Sequence, residues 1–346
     1  MKTIHVLAAV VFGSVCAGCT LPAPFFSRSI HLLSYNVENL FDDRDDGTEY
    51  DDYDPGSDSW STSLYHAKLQ NISQAIEKSV KGGPDVCLLQ EIESQKALDD
   101  LNNGYLNTLG YRYTFVAPRG NSATSVSVLS RLPIIGIHVH RVDAGISMRP
   151  VLEVELAVGD SSITILNNHW KSKSGGAEET EKYRIESASL IRSRIIGIIE
   201  QNPSAFILVS GDLNERVDEY REIDRVYQTA LLPDEEGVPA HFSAKSIFVT
   251  SAINDAGLDG ERLVLYSPWW DSEGLGSYLF HGLWERIDHF MIYDGNGAGN
   301  GLDISSFSVA ALEFLLREDD TPRRWSSLSA TGYSDHLPLL LTIDRS

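Results

Sequence analysis

The second half of the chain contains the stretch Phe206-Ile207-Leu208-Val209-Ser210-Gly211-Asp212-Leu213-Asn214. Its four leading apolar residues are typical of a short, fully buried strand. The strand is expected to stop at Gly211, and a carboxylate and an amide follow at Asp212 and Asn214. Because residues two apart at a strand end point the same way, both side chains should leave the sheet edge together. A plain turn also uses Gly, Asp and Asn, so this stretch alone leaves both interpretations open.

Other strand-like runs of the chain also end in acids, amides or histidines. The runs span residues 30–34, 86–89, 163–166, 287–292 and 339–343. The polar residues in or beside them are Asn36, Glu38, Glu91, His169, Asp288, Asp335 and His336. Any one of these has an ordinary explanation as a cap or a hydrogen-bonded core residue. Their recurrence favours a functional site where several strands end.

Periodicity elsewhere predicts helices that alternate with these strands. Apolar residues at helical spacing predict an amphipathic helix over about 63–81 and a second long helix before residue 200. The residues that carry this spacing are Leu69, Ile72, Ile76 and Val80 in the first helix, and Ala188, Ile191, Ile195 and Ile198 in the second. We also expect a helix over 97–109, strands over 114–117 and 125–129, and a strand over 151–158 with one face in water.

The remaining organisation predicts one domain over residues 30–346. Residues 215–285 look mostly loop-like, and the sequence has no internal repeat and no linker rich in Pro or Ser. Alternating strands and helices then indicate a single α/β domain. Six aromatic residues cluster in the loop-like part: Tyr266, Trp269, Trp270, Tyr278, Phe280 and Trp284. We expect them to pack this segment onto its own domain, although interleaved aromatics can also stack on bases.

The acidic excess limits the classes of protein that fit. The chain has 346 residues, 42% hydrophobic and 22% charged, with 28 Lys and Arg against 49 Asp and Glu and a formal net charge of -21. Such a charge keeps a protein soluble and repels nucleic acid at long range. It argues against a protein that coats DNA but is compatible with a local basic site. Nine acids and one Arg lie within residues 42–58, without EF-hand spacing, which predicts a solvated acidic loop rather than a calcium loop.

The N-terminal residues resemble an export signal. Lys2 precedes an apolar run over residues 6–15, which is too short to span a bilayer comfortably. Ala17-Gly18-Cys19 then resembles a bacterial lipoprotein cleavage box. We therefore expect residues 1–18 to be a signal peptide and residues 19–29 a tether that begins at a lipidated Cys19, so that the protein is exported and membrane-anchored. An ordinary secretory signal without lipid is the alternative. Only Cys87 would remain as a free thiol, in an apolar run that predicts burial, so no disulfide is expected.

The polar residues at the strand ends suit phosphoester hydrolysis. Carboxylate and amide oxygens are ligands for Mg²⁺, Mn²⁺ or Ca²⁺. Two histidines can donate or accept protons near neutral pH, and an adjacent Asp would fix the tautomer of one of them. A metal, a base, an acid and an orienting amide are the groups needed for in-line attack of water on a phosphoester.

Five motifs resemble those of the endonuclease/exonuclease/phosphatase superfamily, in the same order. They are Ser34-Tyr35-Asn36-Val37-Glu38-Asn39-Leu40-Phe41-Asp42, Leu89-Gln90-Glu91, Gly211-Asp212-Leu213-Asn214, Arg286-Ile287-Asp288 and Ser334-Asp335-His336, with Asn168-His169 in addition. The resemblance covers about residues 30–344. It implies a four-layer α/β sandwich of two facing mixed β-sheets flanked by helices, with the site at one end.

The resemblance also implies roles for the metal site and the attacking water. Glu91 would bind the divalent metal, helped by Asn36 and Asp335. Asp212 would orient or deprotonate the water, and Asn214 would help to place it. Mg²⁺ is the expected ion, with Mn²⁺ or Ca²⁺ as alternatives.

The resemblance implies further roles for the two histidines. His336 would hold the phosphate and stabilise its developing charge, while Asp288 contacts its ring and fixes it. His169 would act as general acid, as in the DNase I-like branch, and Glu38 stands where some members place a second carboxylate. Three basic residues are candidate phosphate contacts: Arg149, Lys171 and Lys173.

Family membership leaves the substrate open. The stretch from Asn168 to Lys171 and the following Gly pair resemble bacterial extracytoplasmic members described as nucleases. We therefore expect a monomeric nuclease that acts on DNA or RNA. A phosphatase or phosphodiesterase acting on inositol phosphates or phospholipid head groups is the alternative, and a non-catalytic binding lipoprotein is a more distant one.

Overall fold

The computed structural model describes residues 29–57, 59–295 and 300–345. The predicted signal peptide, the lipidated Cys19 and most of the tether lie outside these residues. No helix in the described part of the chain is both long and apolar enough to cross a membrane.

The structure contains 17 strands and four α-helices within the described residues. The strands are β1 (Ser29–Leu40), β2 (Val86–Ile92), β3 (Tyr113–Val116), β4 (Ser125–Ser130), β5 (Ile134–His140), β6 (Val151–Val158), β7 (Ser161–His169), β8 (Phe206–Asp212), β9 (Leu231–Pro233), β10 (Ile247–Thr250), β11 (Gly257–Asp259), β12 (Arg262–Tyr266), β13 (Tyr278–Phe280), β14 (Leu283–Glu285), β15 (Asp288–Tyr293), β16 (Leu302–Val309) and β17 (Leu339–Arg345). The helices are α1 (Thr62–Ser79), α2 (Gln95–Asp100), α3 (Ala177–Gln201) and α4 (Glu219–Glu222). A π-helical turn, Leu101–Tyr105, continues α2.

Two large mixed sheets form the fold. The first has six strands in the order β16-β17-β1-β2-β4-β3. The second has nine strands in the order β5-β6-β7-β8-β15-β12-β10-β9, with β11 paired to β12. β13 and β14 form a separate hairpin. The predicted sandwich of two facing mixed sheets flanked by helices is confirmed.

Alternation along β1 separates the layers. Leu32 belongs to the apolar core between the two sheets, whereas Leu33 belongs to the core under α1, together with Leu69 and Ile72. On the outer face of the second sheet, Arg194 of α3 bonds both carboxylate oxygens of Glu153 at 2.5 and 2.8 Å. Each sheet is therefore covered on both faces, which is why its central strands are apolar on both sides.

The core between the sheets changes from apolar to polar along its length. On β2 the inward residues run from Leu88 to Gln90, and on β7 from Ile165 to Asn167. At the polar level, Gln90 Nε2 donates to Asn167 Oδ1 across the gap at 2.8 Å. Both side chains are fully buried, and an unpaired amide there would be costly. The pair connects the sheets below the end at which the predicted site residues lie.

Several sequence-based predictions differ from the structure in instructive ways. The wet face expected for β6 is covered, because Glu153 is paired with Arg194 and with His140 and is 4% exposed. The helix expected over 97–109 is shorter and ends in the π-helical turn at Tyr105. The segment 215–285 lies mostly outside α-helices and strands, as expected, but it also supplies the short strands β9 to β14 and the short helix α4. Cys87 is buried and free, as predicted.

Gly211 yields a first prediction, because it sits at φ +119° and an added Cβ would overlap the carbonyl oxygen of Asn168 on the neighbouring strand. Gly211→Ala should lower the free energy of unfolding by at least about 2 kcal/mol, since backbone strain alone costs roughly 1–3 kcal/mol. Gly197→Ala is the matched control: Gly197 lies within α3 with open space around it, so this change should stabilise the protein by up to about 1 kcal/mol. Urea unfolding of both variants measures the difference, and equal effects would contradict the assigned role of Gly211.

Candidate functional site

Three adjacent strands place three site residues side by side. In the parallel pair β7–β8, His169 is opposite Asp212, and in the antiparallel pair β8–β15, Asp288 is opposite Asp212. The row His169–Asp212–Asp288 is therefore fixed by backbone register. All three residues are nearly inaccessible, with 5%, 2% and 1% of their surface exposed.

The first sheet supplies Asn36 and Glu91, which reach the same point across the gap. Asn36 Nδ2 donates to Glu91 Oε1 at 3.2 Å and to Asp212 Oδ2 at 3.1 Å. Asn36 Oδ1 accepts the backbone N–H of Glu38 at 3.1 Å, so the amide nitrogen is the end that faces the carboxylates. Asn36 is thus a donor between two acids in this geometry, and its oxygen, the atom that could bind a metal, faces the backbone N–H of Glu38.

His336 and Asp288 form a hydrogen-bonded pair, as the motif pattern predicts. His336 Nδ1 lies 2.8 Å from Asp288 Oδ2, and both side chains are buried. Burial by itself would lower the pKa of His336, but the Asp288 carboxylate and its hydrogen bond raise that pKa well above its ordinary value. His336 is therefore an imidazolium at neutral pH, and its Nε2 lies 3.8 Å from Asp212 Oδ2.

The other histidine is in the opposite state. Burial, followed by the charges of Arg149 and His336, lowers the pKa of His169 well below its ordinary value. Its Nε2 lies 3.5 Å from Asp212 Oδ2 and 3.8 Å from Glu91 Oε1, while its buried Nδ1 has no hydrogen-bond partner. A neutral ring with the proton on Nε2 fits these contacts, because the ring then faces two carboxylates with a donor.

Asp212 Oδ2 is the atom on which these groups converge. It is approached by the amide of Asn36 and by Nε2 of both histidines. Asp212 Oδ1 accepts the backbone N–H of Asn214 at 2.9 Å. Burial and then the neighbouring Asp288 carboxylate raise the pKa of Asp212 to about 7. A carboxylate with such a pKa can accept a proton from water near neutral pH.

A groove of about 650 Å³ opens beside His169 and contains two of the three basic candidates. Arg149 and Lys171 line it, and the buried Nε of Arg149 has no hydrogen-bond partner. Lys173 does not line this groove; its Nζ is paired with Glu219 at 2.6 Å. The structure therefore brings Arg149 and Lys171 next to the site and directs Lys173 to a local ion pair.

The residues assigned to a metal fit a hard divalent cation by their donor types. Glu91 offers a carboxylate at the edge of the site, and Asp335, which directly precedes His336, is half-buried. Both would bind Mg²⁺ through oxygen. Glu38 is turned away into a bond with Arg324 at 2.7 Å and with the backbone N–H of Trp325 at 2.9 Å. The geometry thus gives Glu38 a structural partner.

Tyr278 is a site residue that sequence reasoning did not single out. Its ring stacks on His336 with centroids 4.6 Å apart, and Phe280 lies nearly parallel to Tyr278 at 6.3 Å. Trp269 is buried, as the packing interpretation expects, but Phe280 is 52% exposed. The sequence does show interleaved aromatic residues before Asp288. That pattern does not distinguish aromatic residues that pack onto the domain from those that can stack on a base.

Comparison with known proteins gives a family and a fold. A model described as "Endonuclease/Exonuclease/phosphatase family" matches residues 31–236. The crystal structure of humanized D. rerio TDP2 superposes with a TM-score of 0.56 at 14% identity, covering 92% of this chain and 100% of that chain. Truncated Caenorhabditis elegans TDP2 gives 0.54 at 16% identity, covering 91% and 97%. A family protein from Bacteroides thetaiotaomicron gives 0.52 at 14% identity, covering 92% and 95%. No curated protein matches the chain.

The Asp288–His336 pair yields a second prediction. His336→Ala should lower turnover on the order of 10²-fold or more, as expected for a positioned acid–base group. Asp288→Asn should also lower turnover with the protein still folded. If the two residues act as one unit, Asp288→Asn should cost little more in the His336→Ala background. Rates of the two single variants and the double variant measure the coupling, and full additivity would remove the pair from the mechanism.

Proposed function

Since this chain belongs to the endonuclease/exonuclease/phosphatase family, whose chemistry is metal-dependent phosphoester hydrolysis, we propose that it is an extracytoplasmic nuclease acting on DNA or RNA. The observation that carries the proposal is the convergence of donors on Asp212 Oδ2. Three donors, from Asn36, His169 and His336, surround one buried carboxylate oxygen. The 3.5 and 3.8 Å separations from the histidines are longer than hydrogen bonds, so these donors remain available to a water or a phosphate oxygen.

The proposed roles follow from the charge states. Asp212 orients the attacking water and accepts its proton, with Asn214 beside it. His336 is positively charged and holds a phosphate oxygen, where it stabilises the charge that develops in the transition state. Neutral His169 donates a hydrogen bond through Nε2; as general acid it would need to gain a proton first, because its pKa is lowered.

Glu91 and Asp335 are the proposed metal-binding residues. Mg²⁺ is the first candidate, with Mn²⁺ or Ca²⁺ as alternatives. When bound, the ion supplies Lewis-acid stabilisation of the phosphoryl oxygens. Asn36 then has a positioning role, because its amide holds the Glu91 and Asp212 carboxylates at hydrogen-bonding distance on either side.

Two observations favour a nucleic acid as the substrate. Arg149 and Lys171 form a local basic patch on a chain of net charge -21. Tyr278 and the exposed Phe280 extend outward from His336 and offer a surface on which a base can stack. A D. rerio TDP2 structure with 13% identity is a complex with a single strand DNA product. The alternative, a phospholipid head group or inositol phosphate, is favoured by Leu283, which is 69% exposed on the same hairpin.

A panel of substrates tests the proposal and gives a third prediction. Purified mature protein should cleave linear DNA, plasmid DNA or RNA with Mg²⁺ and not after chelation, while inositol phosphates and sphingomyelin remain intact. Glu91→Gln should weaken activity strongly at low Mg²⁺ and recover partly at high Mg²⁺, because one ligand charge is lost. Hydrolysis of lipid or inositol phosphate alone would replace the nuclease proposal, and an unchanged metal titration would reject Glu91 as a ligand.

A fourth prediction concerns location. We propose that the mature chain begins at a lipidated Cys19 and partitions with membranes. Cys19→Ser should release the protein or leave it unprocessed. Mass spectrometry of the N-terminus together with membrane fractionation measures this, and an unmodified N-terminus at another residue would reject the lipid anchor.

A further inference from the structure

A second group of acids lies beside the substrate groove and outside the proposed catalytic site. Ligand atoms of Asp46, Glu49 and Glu93 all lie within 4.8 Å of one another. Asp46 and Glu49 come from the acidic loop after β1, and Glu93 follows β2. Residues from two separate segments, about 45 positions apart, therefore converge on one point. A loop that is only solvated would not be expected to bring them together.

Glu93 is the member that a solvated loop does not explain. Its side chain is 1% exposed, and its Oε2 accepts the backbone N–H of Asp42 at 2.7 Å. The other oxygen, Oε1, is buried and has no hydrogen-bond partner. Buried carboxylate oxygens are normally paired, because an unpaired buried charge is costly. This oxygen faces the Arg119 guanidinium at 3.8 Å, and the same guanidinium pairs with Asp46 of the cluster.

Arg119 is the only cation recorded in contact with these three acids among the described residues, and it does not balance them. It pairs with Asp46 and donates to the hydroxyl of Thr48, while its Nη1 is 3.8 Å from Glu93 Oε1, beyond hydrogen-bonding distance. Burial raises the pKa of Glu93 to about 8, so near neutral pH the guanidinium faces two charged carboxylates and one largely protonated acid; full ionisation of all three acids would leave two negative charges. A divalent cation supplies the charge that would offset them.

We propose that Asp46, Glu49 and Glu93 bind a Ca²⁺ ion that is distinct from the metal held by Glu91. The donors are all carboxylate oxygens, which suit hard cations. Two of the three lie on a loop exposed to solvent, which can adapt to the six to eight oxygen ligands of Ca²⁺ and leaves room for water. Mg²⁺ requires near-ideal octahedral geometry and fits a flexible loop less well. The ligand set differs from an EF-hand, because Glu93 comes from outside the loop.

The position of the cluster gives this ion a function. Gly47, Thr48 and Tyr50 of the same loop line the groove that also contains Arg149 and His169. Asp46 accepts from the hydroxyl of Thr48, and Glu49 accepts the backbone N–H groups of Asp46 and Thr48 at 2.7 and 2.8 Å. A cation that joins these carboxylates to Glu93 fixes one wall of the groove to the end of β2. The bound ion therefore orders the substrate groove without taking part in the chemistry.

The decisive experiment measures Ca²⁺ binding at low Ca²⁺ concentration in a Glu91→Gln background, in which the catalytic metal site is weakened. Equilibrium dialysis with radioactive Ca²⁺ should show one equivalent bound to the full mature chain carrying Glu91→Gln. Adding Glu49→Gln, or Glu93→Gln, should weaken that binding at least about tenfold, since affinity follows the number of ligand charges. Adding Asp52→Asn, the same charge change at an exposed acid of the same loop, should leave it unchanged.

Glu49→Gln and Glu93→Gln are tested separately so that misfolding of one variant does not decide the result. Glu49 is half-exposed, so Glu49→Gln does not disturb the core, whereas Glu93→Gln removes a buried carboxyl group. Circular dichroism and the melting temperature without Ca²⁺ check that each variant is folded. Ca²⁺ should raise the melting temperature of the Glu91→Gln protein and not that of either double variant. No Ca²⁺ bound by Glu91→Gln, or full binding retained by folded Glu49→Gln and Glu93→Gln double variants, would overturn the proposal. Neither outcome depends on whether the enzyme is a nuclease.

Discussion

The site depends on a layer of buried amides that connects the two sheets. Gln90 and Asn167 bond each other across the gap at 2.8 Å, and Asn36, which is the register partner of Gln90 on β1, bonds Asp212 at 3.1 Å. These bonds lie in a region from which water is excluded, so each amide would lose free energy if its partner moved away. The distance between the sheets is thereby constrained at the end where the catalytic candidates converge. Apolar packing alone constrains distance less sharply, since it is not directional.

Backbone register also fixes the positions of the site residues. His169, Asp212 and Asp288 occupy one row across three strands, and hydrogen bonds of the ladder hold that row. Gly211 permits the close approach of β8 to Asn168, which a side chain would prevent. Carboxylates are thus held side by side on rigid strands despite their mutual repulsion. That repulsion is visible in Asp212, whose pKa is raised to about 7 by burial and by Asp288.

Much of this arrangement was predictable from sequence, because the signals are local. Apolar runs followed by polar residues gave the central strands and most of the site residues, and the motif order gave the contact between Asp288 and His336. β5 and β16 were missed, and β9 to β14 were taken as loop. These strands are short or half-exposed, so their apolar periodicity is weak and pairing with neighbours decides their structure. The burial of the outer face of β6 was missed for a related reason. Glu153 on that face is paired with Arg194, which lies 41 residues away in the sequence and so gives no local signal.

The same residue type takes opposite charge states at two positions in this site, and sequence could not assign them. His336 has a buried carboxylate on Nδ1, so the imidazolium is favoured despite burial. His169 has no partner on Nδ1 and lies near Arg149, so burial and like charge favour the neutral ring. The two rings flank one carboxylate oxygen, and a phosphate placed between them would meet a cation on one side and a neutral donor on the other. Because His336 is charged and His169 is neutral, negative charge on a bound phosphate is best stabilised on the His336 side of the site.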